Sequence, residues 1–231
     1  MGNYTGTDNL EVMEEAVNYK KYLCSLVLKY SSLNDRVLDF GAGIGTFSKA
    51  ISQQGLKISC LEPDKLQANV ISEQGFEVYT DLDQINDSSI SYVYSLNVLE
   101  HIENEIEILC KISRKLTNDG KLFIYVPAFN ILFSEMDRKV GHHRRYTRTS
   151  LIEVVEKSGF EVVTTYYADS LGFLATLIYK IIGSKDGLVD RDALKLYDRL
   201  FFPLSCFLDV LFKRVFGKNV VLYAKKRTHE N

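Results

Sequence analysis

At 231 residues the chain suits one α/β domain with an embellishment, and it carries 46% hydrophobic and 25% charged residues. The 28 Lys+Arg against 30 Asp+Glu give a net charge of -2, which excludes a generally polybasic nucleic-acid binder and an acidic solvating chain. Only 3 prolines and no low-complexity run exclude long disordered linkers.

Cys24, Cys60, Cys110 and Cys206 lie far apart in apolar stretches and form no CxxC, the pattern of buried free thiols in a reducing compartment. The segment MGNYTGTDNLEVMEEA has neither the basic nor the apolar region of a signal peptide. The longest apolar run, Leu171–Ile182, reaches about 12 residues where a membrane span needs about 20. The expectation is a cytoplasmic protein.

From residue 36 onward strand and helix periods alternate. RVLDF (36–40) is a short apolar run ending at a glycine cluster, a buried strand. Thr46–Gln54 reads as a helix, with Phe47, Ala50 and Ile51 on one face and Gly55 as its stop. KISCLE (57–62) is the second strand, and Pro63 suits the first turn of a helix whose stripe is Leu66, Val70 and Ile71. Residues 76–80, 91–95 and 121–126 make three further strands. Between the last two, Ile102, Ile106, Leu109 and Leu116 recur at helical spacing, and Asn118-Asp119-Gly120 ends that helix. Ser150–Glu153 reads as a capping box opening a helix that stops at Gly159. Residues 161–167 and 220–226 close the pattern as strands. Such alternation predicts a doubly wound, mostly parallel sheet with helices on both faces.

One stretch breaks the alternation. Residues 168–219 separate the last two strands and contain two apolar segments, Leu171–Ile182 and Leu200–Phe212, joined by the polar segment 183–199. They read as an inserted helical pair, packed on the domain, on a second copy, or on a membrane surface. The predicted single domain therefore comprises a helical cover (1–35), a core (36–167), the insertion (168–219) and the last strand (220–227).

The link VLDFGAGIGTF (37–47) places Gly41, Gly43 and Gly45 between the first strand and helix. Glycines there permit a sharp turn and let backbone N–H groups approach a ligand. The dinucleotide pattern G-x-G-x-x-G fails, because position 46 is Thr. Asp39 two residues before the first glycine suits a cationic ligand better than a pyrophosphate. Glu62, at the end of the second strand, is placed to accept both hydroxyls of a ribose.

With these residues the chain resembles the class I S-adenosylmethionine-dependent methyltransferases. Their first motif looks like VLDFGAGIG, their ribose acid matches Glu62 in CLEPD, and their post-strand-four motif looks like SLNVLEHI (95–102). The resemblance runs from about residue 9 to the last strand. It implies a Rossmann-like, seven-stranded sheet in the order 3-2-1-4-5-7-6, with strand seven antiparallel, and S-adenosylmethionine as cofactor. Asp39 and Gly41, Gly43 and Gly45 would then hold its amino-acid part, Glu62 the ribose, Asp81 (or Asp83) the adenine, and Asn97 would lie near the methionine moiety. The segment 14–23 is similar to a helix that covers the cofactor, from which Tyr19 closes over the site. An ordinary amphipathic helix with Val17, Leu23 and Val27 inward is the alternative.

A sulfonium is already electrophilic, so the protein must mainly align an acceptor and exclude water, with a base for a hydroxyl acceptor. His101, just beyond strand four, is a base candidate or a structural hydrogen-bonder. The loop 127–150 holds His142 and His143 among Arg138, Lys139, Arg144, Arg145 and Arg148, with no acid between 138 and 148. This basic run is either a solvated loop pairing with the domain's acids or captures an anionic acceptor through Arg144, Arg145 and Tyr146. Adjacent histidines point apart, so His142 and His143 predict no metal site. GHHRRYT also resembles small bacterial methyltransferases associated with glycan assembly, which implies O-methylation of a small-molecule or glycan-type acceptor, lipid-linked if the insertion touches a membrane. No nucleic-acid partner is expected. An RNA or protein methyltransferase and a non-catalytic cofactor-binding subunit are the alternative functions.

Overall fold

The computed structural model describes residues 15–182 and 191–228; residues 1–14 of the predicted cover and residues 183–190 of the polar connection lie outside them. In chain order the elements are α1 (Val17–Lys29), β1 (Arg36–Phe40), α2 (Thr46–Ser52), β2 (Lys57–Leu61), α3 (Lys65–Glu73), β3 (Glu77–Tyr79) and β4 (Ile90–Leu96). They continue as α4 (Glu105–Lys115), β5 (Leu116–Pro127), α5 (Glu135–Val140), α6 (Arg148–Lys157), β6 (Phe160–Ala168), α7 (Ser170–Ile182), α8 (Arg191–Leu196), α9 (Phe202–Phe212) and β7 (Asn219–Lys226). A π-helical turn, Tyr197–Phe201, joins α8 to α9.

Seven strands form one sheet in the order β3-β2-β1-β4-β5-β7-β6, as the resemblance implies. β1 to β5 pair in parallel, and β7 runs antiparallel to β5 and β6. The period of two sorts strand residues between two cores. Leu38, Val93, Ile124 and Leu222 face one side, against Leu109 and Ile112 of α4 and Leu151 and Val155 of α6. Val37, Tyr94, Tyr125 and Val221 face the other, against Leu23 and Val27 of α1, Ile51 of α2 and Ile71 of α3. Of the residues expected inward on α1, Leu23 and Val27 are buried, and Val17 is exposed.

Three boundaries differ from expectation. The helix before β5 ends at Lys115, because fully buried Leu116 already pairs with Ile90; the Asn118-Asp119-Gly120 signal marks a bulge inside the strand. Thr147, rather than Ser150, caps α6: its Oγ1 accepts the Ser150 N–H at 3.1 Å and its own N–H donates to Ser150 Oγ at 2.9 Å. Pro63 precedes the cap of α3, where Asp64 accepts the N–H groups of Leu66 at 2.9 Å and Gln67 at 3.0 Å.

The insertion packs back on the domain with one face and leaves the other in solvent. Asp209 of α9 caps α7 by accepting the N–H groups of Asp169 at 2.7 Å and Ser170 at 2.9 Å. Phe202 is buried against the rings of Tyr19 and Tyr22, with centroids 5.4 and 5.5 Å away. Among the described residues no helix is long and apolar enough to cross a membrane.

Candidate functional site

The parallel strands β1, β2 and β4 end on one edge, and the segments leaving them enclose a cleft of about 400 Å³. The glycine loop forms its floor. Gly41, Gly43 and Gly45 have φ of +80°, +58° and +82°, in the left-handed region. The N–H groups of Gly41 and Ala42 donate to Leu61 O at 2.9 and 3.1 Å, which pins the loop against the end of β2. A Cβ on Gly41 would lie 2.4 Å from Val98 Cγ2, so the turn after β4 also requires glycine there.

Glu62 leaves β2 into the cleft, where it accepts the Gly43 N–H at 2.8 Å and the Asp64 N–H at 3.0 Å. Burial raises its carboxyl above the usual range, and those two donors oppose the rise. Asp39 sits beneath the loop, outside the cleft lining, and accepts Ser48 Oγ at 2.5 Å and Tyr94 OH at 2.7 Å. Burial pushes its carboxyl up to about 6, so negative charge is held under the loop at a cost that a cation above it would relieve.

Asn97 lines the cleft from the end of β4, at φ +55° with its N–H donating to Tyr125 O at 2.8 Å. Its side chain lies beside Tyr19, which closes the cleft above it from α1. Burial pushes the Tyr19 hydroxyl up to about 12, which keeps it neutral. The cover helix is held from the insertion: Asp198 accepts the N–H groups of Asn18 at 2.9 Å and Tyr19 at 2.8 Å. Nothing in the sequence pattern marks that link, which spans 180 positions.

Asp81 does not join this group. It is exposed, it accepts the Asp83 N–H at 2.8 Å to cap a 3-10 turn, and it is absent from the cleft lining. Pro63, Asp64 and Gln67 line that side instead, all just after Glu62. The helix cap at Asp64 was the available signal for them.

His101 lines the cleft opposite Glu62 in chain terms, from the turn after β4. Its ring hydrogen-bonds to the backbone of Gly141 and Val140, and burial brings it down to about 4, so it is a neutral imidazole. The ring meets that of His142 edge-on at 4.6 Å. His142 donates through Nδ1 to Asp137 Oδ1 at 2.7 Å, and its Nε2 faces Glu100 Oε1 at 3.8 Å. Glu100 was not expected to matter. It is fully buried, neither carboxylate oxygen has a hydrogen-bond partner, and burial raises it to about 8.

Arg144 and Arg145 of the basic loop are paired with acids. Arg145 donates through Nε and Nη2 to Asp137 at 2.8 and 3.1 Å, with the pair buried. Burial opposes ionisation of Asp137, yet the bonds from His142 and Arg145 hold its carboxyl well below the usual range. Arg144 pairs with Glu105 and donates to Glu103 O at 2.8 Å. Tyr146 is buried, its hydroxyl on Leu99 O at 3.3 Å. Arg144 and Tyr146 thus tie the loop to the segment after β4, and Arg145 ties it to Asp137. His143 is exposed, outside the cleft lining, with its N–H on Glu100 O at 2.8 Å.

A family model described as a methyltransferase domain matches residues 14–165. A methyltransferase of Staphylococcus carnosus is 26% identical over 122 residues, 51% of this chain and 58% of that protein, so the match spans little more than half of the relative's length. Among solved structures, an S-adenosylmethionine-dependent methyltransferase of Thermotoga maritima is 13% identical, with 96% of each chain covered and a TM-score of 0.66. Phosphoethanolamine N-methyltransferase 2 of Haemonchus contortus, bound to phosphomonomethylethanolamine and S-adenosylhomocysteine, is 16% identical over 97% of this chain and 58% of that one, with a TM-score of 0.63. Geranyl diphosphate C-methyltransferase of Streptomyces coelicolor, bound to Mg2+, geranyl diphosphate and S-adenosylhomocysteine, is 10% identical over 89% and 77%, with a TM-score of 0.62. At these identities the likeness is one of fold.

Proposed function

Because the chain belongs to the methyltransferase-domain family, we propose that it transfers the methyl group of S-adenosylmethionine to an oxygen of a small-molecule or glycan-type acceptor. The observation that carries this reading is the convergence of the left-handed glycine loop, Glu62 and Asn97 on one cleft. Glu62 would take the ribose hydroxyls in place of the Gly43 N–H it now accepts, which frees that N–H for the ligand. Asp39 beneath the loop would favour the cationic amino-acid and sulfonium end. The adenine would lie along the Asp64–Gln67 side, with Tyr19 closing over the methionine end. The protein's part in the chemistry is to align the acceptor with the methyl group and to exclude water.

The same cleft supports an acceptor entering past His101, which lines it from the turn after β4. The outward face of α9 supports the lipid-linked form of that acceptor. Phe207, Val210 and Leu211 are each at least 70% exposed, and Lys213 and Arg214 follow directly, also exposed. An apolar face bordered by cations suits a bilayer with anionic headgroups. Incubation of a cell extract with the protein and deuteromethyl-labelled cofactor, followed by mass spectrometry, tests the reading. Label in a glycan or lipid-linked fraction is the expected result, and label in RNA or protein alone would contradict it.

A further inference from the structure

Glu100, His101 and His142 each offer one ligand atom, and these atoms lie within 4.8 Å of one another. We propose that these three side chains hold a divalent first-row transition ion in the wall of the cleft. Two features of the geometry carry this. Both oxygens of Glu100 are buried without a hydrogen-bond partner, and one faces His142 Nε2 at 3.8 Å. Two ligands about 2.1 Å from one tetrahedral ion stand about 3.4 Å apart, so that pair is close to chelating distance. Buried oxygens without a hydrogen-bond partner call for an explanation, and an ion between Glu100 and His142 supplies one.

The second feature is the orientation of His142. Asp137 accepts its Nδ1–H at 2.7 Å, which fixes the tautomer and leaves the Nε2 lone pair directed toward Glu100. Arg145 and the Ser134 N–H hold Asp137 in turn, at 2.8 Å each. The loop residues around Asp137 thus hold the imidazole of His142 in position toward Glu100. His101 completes the set from the cleft side, where it is itself part of the lining.

Two imidazoles and one carboxylate suit zinc, cobalt, iron or manganese better than magnesium or calcium, which prefer oxygen ligands throughout. Three protein ligands leave positions for water or for an oxygen of the acceptor. His101 would then act as a ligand rather than as a free base. The expectation of no metal rested on the adjacent pair His142 and His143, and the relevant partners are distant in sequence.

The site does not depend on the methyl-transfer reading, and the test separates the two. Chelator-treated full-length protein is titrated with Co2+, with visible absorption as readout and S-adenosylhomocysteine binding followed in parallel. About one Co2+ per chain is expected, displaced by Zn2+ and not by millimolar Mg2+. Glu100→Gln and His142→Ala should each weaken Co2+ at least 10-fold with circular dichroism unchanged, and His143→Ala should leave it unaltered. If Glu100→Gln fails to fold, the more accessible His142→Ala decides alone. No Co2+ or Zn2+ binding below millimolar concentration, preference for Mg2+, or equal binding by wild type and His142→Ala would overturn the site. Intact S-adenosylhomocysteine binding beside absent Co2+ binding would sink the ion site and spare the function.

Discussion

Asp198 accepts the Tyr19 N–H at 2.8 Å, and so a residue of the insertion caps the helix that closes the cleft. Ala16, at the N-cap position of α1, supplies no side-chain bond, which leaves this end of the helix to Asp198. The cover and the insertion are therefore one mechanical unit. Asp198→Ala should cost about 1–2 kcal/mol of stability, the usual range for a lost cap. It should also weaken cofactor binding several-fold by loosening Tyr19. Thermal unfolding and calorimetric titration measure the two effects, and unchanged affinity would separate the cover from the site.

Gly41 is constrained twice, by φ +80° and by Val98 at 2.4 Å from any added Cβ. Gly41→Ala should abolish measurable S-adenosylhomocysteine binding, because the loop must move to admit the methyl group. Adding Val98→Ala removes the overlap and leaves the left-handed backbone, worth about 1–2 kcal/mol. The double variant should recover part of the affinity, as read by titration.

Asp39 makes stability and binding respond oppositely to pH. Its folded carboxyl titrates at about 6 against an ordinary 3.8, so the folded state holds the proton between those values. Stability from this group is fully present below about pH 4 and falls as pH rises through 6, by about 3 kcal/mol in all. Asp39→Asn should flatten that slope in denaturant titrations from pH 4 to 7.5. A cationic cofactor favours the ionised form, so affinity should rise from pH 5 to 7 with release of a proton. Calorimetry in two buffers of different ionisation heat counts that proton.

Arg145→Ala should destabilise the protein by about 3–5 kcal/mol, because it leaves the buried Asp137 charge without its guanidinium partner and with only its bonds from His142 and Ser134. Arg144→Ala, whose partner Glu105 lies nearer the surface, should cost far less. Chemical denaturation distinguishes them. Comparable, small effects from both would restore the reading in which the run serves an acceptor.

The parts of the site built from one contiguous segment were legible in the sequence. VLDFGAGIG and the acid ending KISCLE carry their geometry locally, through a strand, a glycine turn and a helix start. The sheet order followed from resemblance, and the strand core from the period of two. What escaped was tertiary. Pairing of the cations at 144 and 145 with acids was one of two open readings, because Asp137 and Glu105 meet them only after folding, and Glu100 drew no notice because His142 arrives from a loop beyond β5. Leu116 was assigned to a helix because it keeps helical spacing with Leu109, while burial beside Ile90 decides for the strand.

The outward face of α9 predicts lipid attachment. Full-length protein should co-sediment with vesicles containing phosphatidylglycerol and less with phosphatidylcholine alone, and Phe207→Glu should abolish the difference. A dimer by light scattering that buries Phe207, with no vesicle binding, would assign the face to a second copy instead.

Binding of the cofactor product to the cleft is the decisive measurement. Calorimetric titration of folded protein with S-adenosylhomocysteine should give one site per chain, lost in Gly43→Val and weakened at least 10-fold in Glu62→Gln. Absence of binding to the folded wild type, or undiminished binding by Gly43→Val, would contradict the assignment of the glycine loop and Glu62 to a methyl-donor site.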